Sequence, residues 1–218
     1  MRGPFESKRL IFRACKPEDA SWYYSEIIGD VETRLFSFAD RLMRPTSGTE
    51  GTQQIKELLS YSLLGVVICA PVAANSPVGP VRVEYQQIGI VQLTNEAENP
   101  VQRHNRKTKL IVHITKSARG CGYGTEATNW ALNWAFQIAG MHRVAVSTMG
   151  YNRRVLGWLR RVGFVEEGRE REGCWWNGAW HDIVTLSMLE GEWRSFKDGT
   201  KKRNVESMSE GMEGMEIQ

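Results

Sequence analysis

Arg119-Gly120-Cys121-Gly122-Tyr123-Gly124-Thr125, residues 119–125, is the most informative segment of the sequence because three glycines stand at alternate positions. An apolar run, Leu110–Ile114, precedes it and an amphipathic stretch, Thr125–Ile138, follows it, which predicts a strand, a glycine turn and a helix. Glycines let the backbone approach a ligand and turn its N–H groups inward, and the helix adds the positive end of its dipole. The stretch is therefore a candidate pyrophosphate site, with a tight structural turn as the alternative.

Two common nucleotide sites do not fit this turn. A P-loop closes on Gly-Lys-Ser/Thr, whereas Gly124 is followed by Thr125-Glu126, so the phosphate lysine and the Mg²⁺ hydroxyl are missing at that spacing. The dinucleotide fingerprint G-x-G-x-x-G is not matched either, because these glycines run G-x-G-x-G and begin past mid-chain. What remains is the pattern R-x-x-G-x-G, formed by Arg119, Gly122 and Gly124.

Two further blocks follow in order. The first is the alternating run Val144–Thr148, then Asn152, a helical stretch Arg153–Val162 and Gly163-Phe164-Val165 opening another strand. The second is Trp176–Asp182, which leads into Ile183–Leu189 and Glu192-Trp193 and contains the hairpin signal Asn177-Gly178. Together with residues 119–125, the blocks form an ordered series that is more specific than a single glycine motif.

This series resembles the Gcn5-related N-acetyltransferases (GNAT family), and its third block is similar to the C-terminal hairpin of the RimJ/RimL-type subfamily. The resemblance covers roughly residues 8–195, with Arg9–Arg13 as a first strand. It implies an α/β (α+β) fold in which a central mixed, mostly antiparallel twisted sheet is flanked by helices, and splayed central strands hold acetyl-CoA. It also implies transfer of an acetyl group to an amine by direct attack in a ternary complex.

The resemblance assigns roles to individual residues. Backbone groups near Val112 and Ile114 are expected to bind the pantetheine arm, and Asn152 to contact the coenzyme. Arg153 is a candidate for the coenzyme 3′-phosphate. The pyrophosphate is expected on Arg119, Gly120, Cys121, Gly122, Tyr123, Gly124 and Thr125.

Proton handling is where the chain departs from its relatives. Many GNAT enzymes place a tyrosine seven residues after the motif asparagine, and this position is Leu159. A glutamate and a serine common in relatives are replaced by Thr108-Lys109 and Val155. His113 on the central strand is the best candidate base, because histidine titrates near neutral pH. Glu84 is a second candidate, as are Glu96 and Glu98, while Cys121 as an acyl-carrying nucleophile is disfavoured because no histidine is near it in sequence.

The acceptor is expected to be a small-molecule amine or a peptide N-terminus. Deprotonating an α-amine at pH 7 costs only about 1 kcal/mol, against about 4.6 kcal/mol for a lysine, so a weakly basic amine needs little catalytic help. Trp176 and Trp180 are candidate substrate-binding residues beside the hairpin turn, and their aromatic surfaces favour an apolar or planar group over a polyamine. A catalytically degenerate acyl-CoA-binding protein and a protein-interaction module remain alternatives.

Composition limits the class of protein. The chain has 218 residues and a net charge of +3, which fits one core-bearing domain and gives no basic stripe for nucleic acid. No apolar run approaches a membrane span, and the N-terminus lacks the apolar core of a secretion signal. The four cysteines are scattered without metal-site or disulfide spacing, so we expect no metal and a cytoplasmic protein, or one shared with the nucleus. It is expected to be a monomer or homodimer.

Periodicity predicts the remaining elements. Helices are expected at Asp19–Ile28 and Gln53–Leu64, and strands at Gly65–Ala70 and Ile88–Leu93. Two connections are expected, a loop Pro71–Gln87 whose first part, Pro71–Pro80, is rich in proline, and a polar segment Asn95–Lys109. We expect residues 1–7 to be an N-terminal extension, residues 8–197 to form the acetyltransferase domain and residues 198–218 to be a disordered tail.

Overall fold

Seven strands form one sheet in the computed structural model of the protein, which describes residues 3–37, 48–73, 83–94 and 104–199. The strands are β1 (Ile11–Ala14), β2 (Ser62–Ala73), β3 (Val83–Thr94), β4 (Lys107–Ile114), β5 (Arg143–Met149), β6 (Val165–Trp176) and β7 (Ala179–Leu189). Their order across the sheet is β1-β2-β3-β4-β5-β7-β6.

Helices join these strands and cover both faces of the sheet. They are α1 (Ala20–Tyr23), α2 (Val31–Ser37), α3 (Gly48–Tyr61), α4 (Tyr123–Asn133), α5 (Arg153–Val162) and α6 (Glu190–Lys197). A 3₁₀ turn, Pro17–Asp19, opens α1, and π-helical turns, Tyr24–Ile28 and Trp134–Ile138, continue α1 and α4. Among the described residues, no helix is long and apolar enough to cross a membrane.

The centre of the sheet is split. β4 and β5 are parallel and pair only where Lys107–Lys109 faces Arg143–Ala145. Beyond that point β4 remains paired with β3, and β5 with β7, but the two central strands no longer pair with each other. All other strand pairs are antiparallel. The predicted mixed, mostly antiparallel sheet with splayed central strands is confirmed.

Two apolar cores lie on opposite faces of the sheet. Alternation along β2 divides it between them, since Val66 and Ile68 belong to one core and Val67 and Cys69 to the other. The larger core includes α4, α5 and α6, and within it the rings of Phe12 and Trp130 stack at 3.7 Å. The smaller core packs β2 and β3 against α1 and α3.

Several sequence-based boundaries are confirmed and others need correction. Helix α5 spans the predicted residues, but Ser62–Leu64 belongs to β2 rather than to the preceding helix. Pro71 continues β2 instead of starting a loop: it lies opposite Tyr85, beyond the last residue that β1 pairs, so its missing N–H faces an open edge.

The start of β4 was also assigned wrongly, because residues 107–109 look polar in sequence. Thr108 is fully buried, and its hydroxyl donates to the Thr94 carbonyl oxygen at 2.7 Å, so a polar residue occupies an interior strand position. Helices α2 and α6 were not predicted. Residues 83–87, expected in the first loop, belong to β3 instead. Residues 74–82, residues 95–103 and most of the predicted tail lie outside the described residues, and the domain boundaries stay predictions.

Candidate acyl-coenzyme site

A cleft of about 1870 Å³ opens where β4 and β5 separate. The second half of β4, the glycine turn, the first turns of α4 and α5, helix α2 and the β6–β7 hairpin line it. The gap between two central strands thus leads from a helix N-terminus on one side to an aromatic hairpin on the other.

The glycine turn has the geometry of an anion site. Gly120 and Gly122 adopt φ values of 81° and 79°, in the left-handed region that other residues rarely enter. Gly122 is the N-cap of α4 and brings no side-chain cap to the first-turn N–H groups of the helix. Gly120, Gly122, Tyr123, Gly124 and Thr125 line the cleft, whereas the exposed Cys121 is not among the lining residues.

The side chain of Arg9 contacts this turn and the beginning of α4. Its Nη1 donates to the Cys121 carbonyl oxygen at 3.0 Å, its guanidinium lies 4.6 Å from the ring centre of Tyr123, and its Nε pairs with Glu126 at 2.7 Å. Sequence reasoning missed Arg9 because a separation of 112 residues carries no local signal. The contact with the Cys121 carbonyl holds the middle of the turn.

The side chain of Arg119 does not point at an open phosphate position. Its Nη1 donates to Glu32 at 2.8 Å, its Nη2 contacts Asp30 and also donates to Thr33 at 2.6 Å, and its Nε donates to the Ile114 carbonyl oxygen at 3.2 Å. Its predicted place in the turn is observed, but its guanidinium is held by the beginning of α2.

Val112 and Ile114 line the cleft and pack towards the core beneath α4 and α5. Their strand uses one edge for β3, where Val112 lies opposite Val91 and Ile114 opposite Gly89, and turns the other edge to the gap. Backbone N–H and C=O groups along an unpaired strand edge suit a ligand with amides. Both residues therefore lie on the strand that borders the gap, and their contact with the pantetheine arm stays a prediction.

Asn152 is buried and joins three elements. Its Oδ1 accepts from the Val155 N–H at 3.2 Å and caps α5, while its Nδ2 lies 3.4 Å from the Phe36 carbonyl oxygen and 3.5 Å from Thr148 Oγ1. Arg153 is exposed at the start of α5 and lines the cleft. Both residues therefore lie at the start of α5 in the cleft lining, where Asn152 organises the local backbone, and their contact with the coenzyme stays a prediction.

The two predicted catalytic residues have different environments. His113 lies in the cleft wall, where burial, reinforced by the charge of Arg119, lowers its pKa to about 4. It is neutral at pH 7 and a weak base. Glu84 is exposed opposite Val72 in the β2–β3 hairpin and is not among the cleft-lining residues. Glu96 and Glu98 lie outside the described residues.

The far end of the cleft is aromatic. Trp176 and Trp180 line it with Phe36, Tyr151 and His181. Tyr151 donates from its hydroxyl to the Leu35 carbonyl oxygen at 2.7 Å, and partial burial raises its pKa. The ring of His181 stands edge-on to Tyr151, with 4.8 Å between ring centres. The predicted tryptophans therefore belong to a larger aromatic wall.

His181 is a candidate base that sequence reasoning missed. Its Nε2 lies 3.2 Å from the Trp176 carbonyl oxygen, which can only accept a hydrogen bond. In the neutral ring, the proton is therefore on Nε2 and the lone pair is on Nδ1. Its position in the Trp176–Asp182 block was visible in the sequence, but the fold was needed to bring it beside Tyr151.

Helix α5 is linked to the beginning of α4. Trp158 donates from Nε1 to Thr125 Oγ1 at 2.9 Å, linking α5 to the first turn of α4. Leu159, at the position where relatives carry a tyrosine, is completely buried. The described side chains thus place no acid at that helical position.

In the part of the cleft lining that the structure describes, positive side chains outnumber negative ones. The lining carboxylates are Glu32, Glu57 and Asp182, and the lining guanidinium groups are Arg119, Arg153, Arg154, Arg161 and Arg169. Two of these arginines, Arg153 and Arg154, begin α5, and a cleft lined by several guanidinium groups suits a ligand with several phosphates. No group of three or more potential metal ligands occurs among the residues described.

Comparison with known proteins identifies the class. The family model described as an acetyltransferase (GNAT) domain matches residues 9–165, more than half of the chain, and the protein belongs to this family. GNAT enzymes use acetyl-CoA as co-substrate.

Particular relatives agree with this class. A segment of 109 residues is 33% identical to the "Putative ribosomal N-acetyltransferase YdaF" of Bacillus subtilis and covers 50% of this chain and 57% of that protein. A segment of 106 residues is 24% identical to the spermidine N(1)-acetyltransferase of Vibrio cholerae and covers 49% of this chain and 58% of that protein. The chain thus spans a little over half the length of these two relatives.

The fold is also shared with a solved structure. The crystal structure of spermidine N-acetyltransferase from Vibrio cholerae in complex with CoA and spermine has a TM-score of 0.66 and 18% identity, covering 85% of this chain and 98% of that one. At this identity the likeness establishes the fold alone.

Proposed function

We propose that the protein is an acetyl-CoA-dependent N-acetyltransferase whose acceptor is a small-molecule amine or a peptide α-amine. The observation that carries this proposal is the gap between β4 and β5, which connects an uncapped helix N-terminus to an aromatic-walled cleft. One end suits phosphates and the other suits an acceptor, and the strand edge between them can hold a thioester. The RimJ/RimL-type subfamily and a cytoplasmic location belong to the same proposal.

The chain's own groups divide the work of coenzyme binding. First-turn N–H groups of α4 meet the pyrophosphate, and the positive end of the helix dipole contributes roughly 0.3–1 kcal/mol there. Arg153 and Arg154 begin α5 on the same side of the cleft and complement further phosphate charge. The gap edge of β4 offers amide groups to the pantetheine arm. Acetyl-CoA then supplies an activated acyl group for direct attack by the amine.

Removing the proton from the amine requires only a modest base. His113 is a poor acceptor because burial lowers its pKa to about 4. His181 directs the Nδ1 lone pair away from its hydrogen bond to Trp176 and stands on the aromatic wall. An α-amine needs only about 1 kcal/mol for deprotonation at pH 7, so a single imidazole or a water molecule is sufficient.

The walls of the cleft support an acceptor with an apolar or aromatic group. Among the described residues, five arginines and three carboxylates line it, which opposes a substrate with several positive charges. Trp176, Trp180 and Phe36 offer flat apolar surface. The names of two relatives nevertheless make spermidine and spermine the most informative competitors for a test.

An amine panel tests the proposal. Purified protein is mixed with acetyl-CoA and spermidine, an aromatic amine, a peptide with an aromatic second residue, or a free lysine side chain, and release of the coenzyme thiol is followed. We expect the aromatic amine or the peptide to be fastest. Spermidine exceeding every other amine would overturn the acceptor assignment, and binding without any thiol release would support the degenerate acyl-CoA-binding alternative.

Coenzyme binding at the glycine turn is tested separately, with one variant and one control. Gly122→Asp places a side chain and a negative charge where φ is 79°, so acetyl-CoA affinity measured by calorimetry should be lost. Gly191→Ala, at a site with open space and no positive φ, should bind as the wild type does. Unchanged affinity of the Gly122→Asp protein, with its fold intact by circular dichroism, would refute coenzyme binding at this turn.

A further inference from the structure

Helix α2 lines the cleft, and hydrogen bonds hold it at both ends. At its beginning, the guanidinium group of Arg119 binds Asp30, Glu32 and Thr33. At its end, the Tyr151 hydroxyl donates to the Leu35 carbonyl oxygen at 2.7 Å and the Asn152 amide to the Phe36 carbonyl oxygen at 3.4 Å. Thr33, Leu35 and Phe36 also line the cleft, so the helix is one of its walls.

This helix depends on those attachments. Seven residues form about two turns, and helices shorter than ~12 residues are marginal in water without tertiary contacts. The side chain of Val31 is 57% exposed, so the helix contributes little apolar burial at its first position. Polar contacts at its two ends therefore help to hold it in the cleft wall, together with the ring of Phe36, whose centre lies 6.0 Å from that of Tyr151.

We propose that Arg119 is a positioning residue that holds α2 as the acceptor wall, and that its guanidinium group does not bind the coenzyme pyrophosphate. The inference rests on the acetyl-transfer function proposed above. It separates two roles within one motif: backbone N–H groups of the glycine turn meet phosphate, while the arginine before them binds the opposite wall.

The contacts of Arg119 support this division. All three guanidinium nitrogens donate, two of them to carboxylates, and only 21% of the side chain is exposed. The Nε bond to the Ile114 carbonyl oxygen fixes the side chain to the end of β4. A phosphate would have to displace Asp30 and Glu32, which already neutralise the guanidinium charge. The arginine thus joins β4, the glycine turn and α2.

Variants on both sides of the contact test the proposal. Arg119→Ala and Asp30→Asn each remove a charge-assisted bond, so the acceptor KM should rise about tenfold or more, while acetyl-CoA affinity by calorimetry changes less than about threefold. Arg119→Lys should recover part of the acceptor affinity. Arg153→Ala is the matched control, because it removes a cleft arginine at the start of α5 that is a candidate phosphate contact, and it should weaken coenzyme binding instead.

A shorter thioester shows whether the effect of Arg119→Ala depends on the pyrophosphate. S-acetylpantetheine has no pyrophosphate, so the loss caused by Arg119→Ala should be equal with this thioester and with acetyl-CoA. A loss confined to acetyl-CoA, or tighter acetyl-CoA binding in Asp30→Asn because the guanidinium is released, would overturn the proposal and make Arg119 a phosphate ligand.

One measurement does not require turnover. Hydrogen exchange of the α2 amides should become faster in Arg119→Ala and Asp30→Asn but not in Arg153→Ala. If the wild type acetylates no amine while α2 still exchanges faster in the first two variants, the proposed function fails and the structural role of Arg119 stands. Unchanged α2 exchange in Arg119→Ala would refute the positioning role itself.

Discussion

His113 is a titratable side chain buried in the wall of the cleft. Its folded-state pKa of about 4 is below the ordinary histidine value of 6.5, so the unfolded chain binds a proton first as the pH falls. The stability that neutral His113 contributes is complete above pH 6.5 and is lost between pH 6.5 and 4. Between pH 7.5 and 5 the free energy of unfolding should fall by about 2 kcal/mol from this group. Urea unfolding at the two pH values measures it.

His113→Phe keeps a ring and removes the titration, so its stability should depend less on pH over the same interval. Equal pH dependence in the wild type and the variant would show that the imidazole is not held neutral. The absolute stability of the variant is not decisive, because the phenyl ring also alters packing near Arg119.

Individual site residues differed in how far the sequence could specify them. The glycine turn was predictable because its left-handed residues, its strand and its helix are neighbours in the chain. The partners of Arg119 were not, since Asp30, Glu32 and Thr33 precede it by 86 to 89 residues. His181 lay within a recognised block, but its tautomer depends on a hairpin carbonyl oxygen that only the folded structure provides.

Strands β3 and β4 approach each other closely at Gly89. A Cβ atom there would lie 2.2 Å from the His113 carbonyl oxygen and 3.1 Å from Ile114 Cδ1. Because the first contact is with backbone, β4 must shift to admit a methyl group. Gly89→Ala should therefore lower the free energy of unfolding by about 1–3 kcal/mol, as overpacking typically does. Urea unfolding gives the change directly.

Gly168→Ala is the control on another strand. A Cβ at that position meets nothing within 4 Å, and the residue has no positive φ. Its stability should stay within about 0.5 kcal/mol of the wild type, as for most surface substitutions. Similar effects at both glycines would contradict the close approach of β3 and β4.

Elements with local start and stop signals were predicted well. Helix α5 has Asn152 as a capping side chain and Gly163 at φ 111° after its last residue, and both signals are visible in sequence. Helix α2 lacks enough length for a periodic pattern and is held by distant contacts. The Gln53–Leu64 interval carried helical spacing across a boundary, and the structure places its last residues in β2 instead.

The pairing of strands across the sheet could not be predicted from the periodicity of apolar residues. Nothing local in Lys107–Ile114 indicates that three residues pair with β5 and the remainder diverge. The splayed sheet was expected only because ordered motifs resembled a family. Long-range polar contacts also join the layers; Arg9 and Glu126, for example, lie 117 positions apart in the chain.

Asp19 is one such connection between elements and is buried. It accepts from both terminal nitrogens of Arg13 on β1, from the Lys16 N–H and from Gln87 on β3, at 2.7–2.9 Å. The Arg13 bonds hold the pKa of this carboxyl below its usual range, so the stability it contributes is present above about pH 4 and is lost as the pH falls through its folded pKa.

Asp19→Asn should consequently lower the free energy of unfolding at pH 7 by about 2 kcal/mol, the scale of a hydrogen bond to a charged group. The difference from the wild type should narrow as the pH falls below about 4, because the wild-type carboxyl then takes up a proton in the unfolded chain and, at still lower pH, in the folded protein. Glu18→Gln, an exposed neighbour in the same turn, should change stability by less than about 0.5 kcal/mol. The difference in the free energy of unfolding between Asp19→Asn and the wild type should therefore vary with pH. If it does not, the shape of the Asp19 side chain, and not its charge, joins β1 to β3.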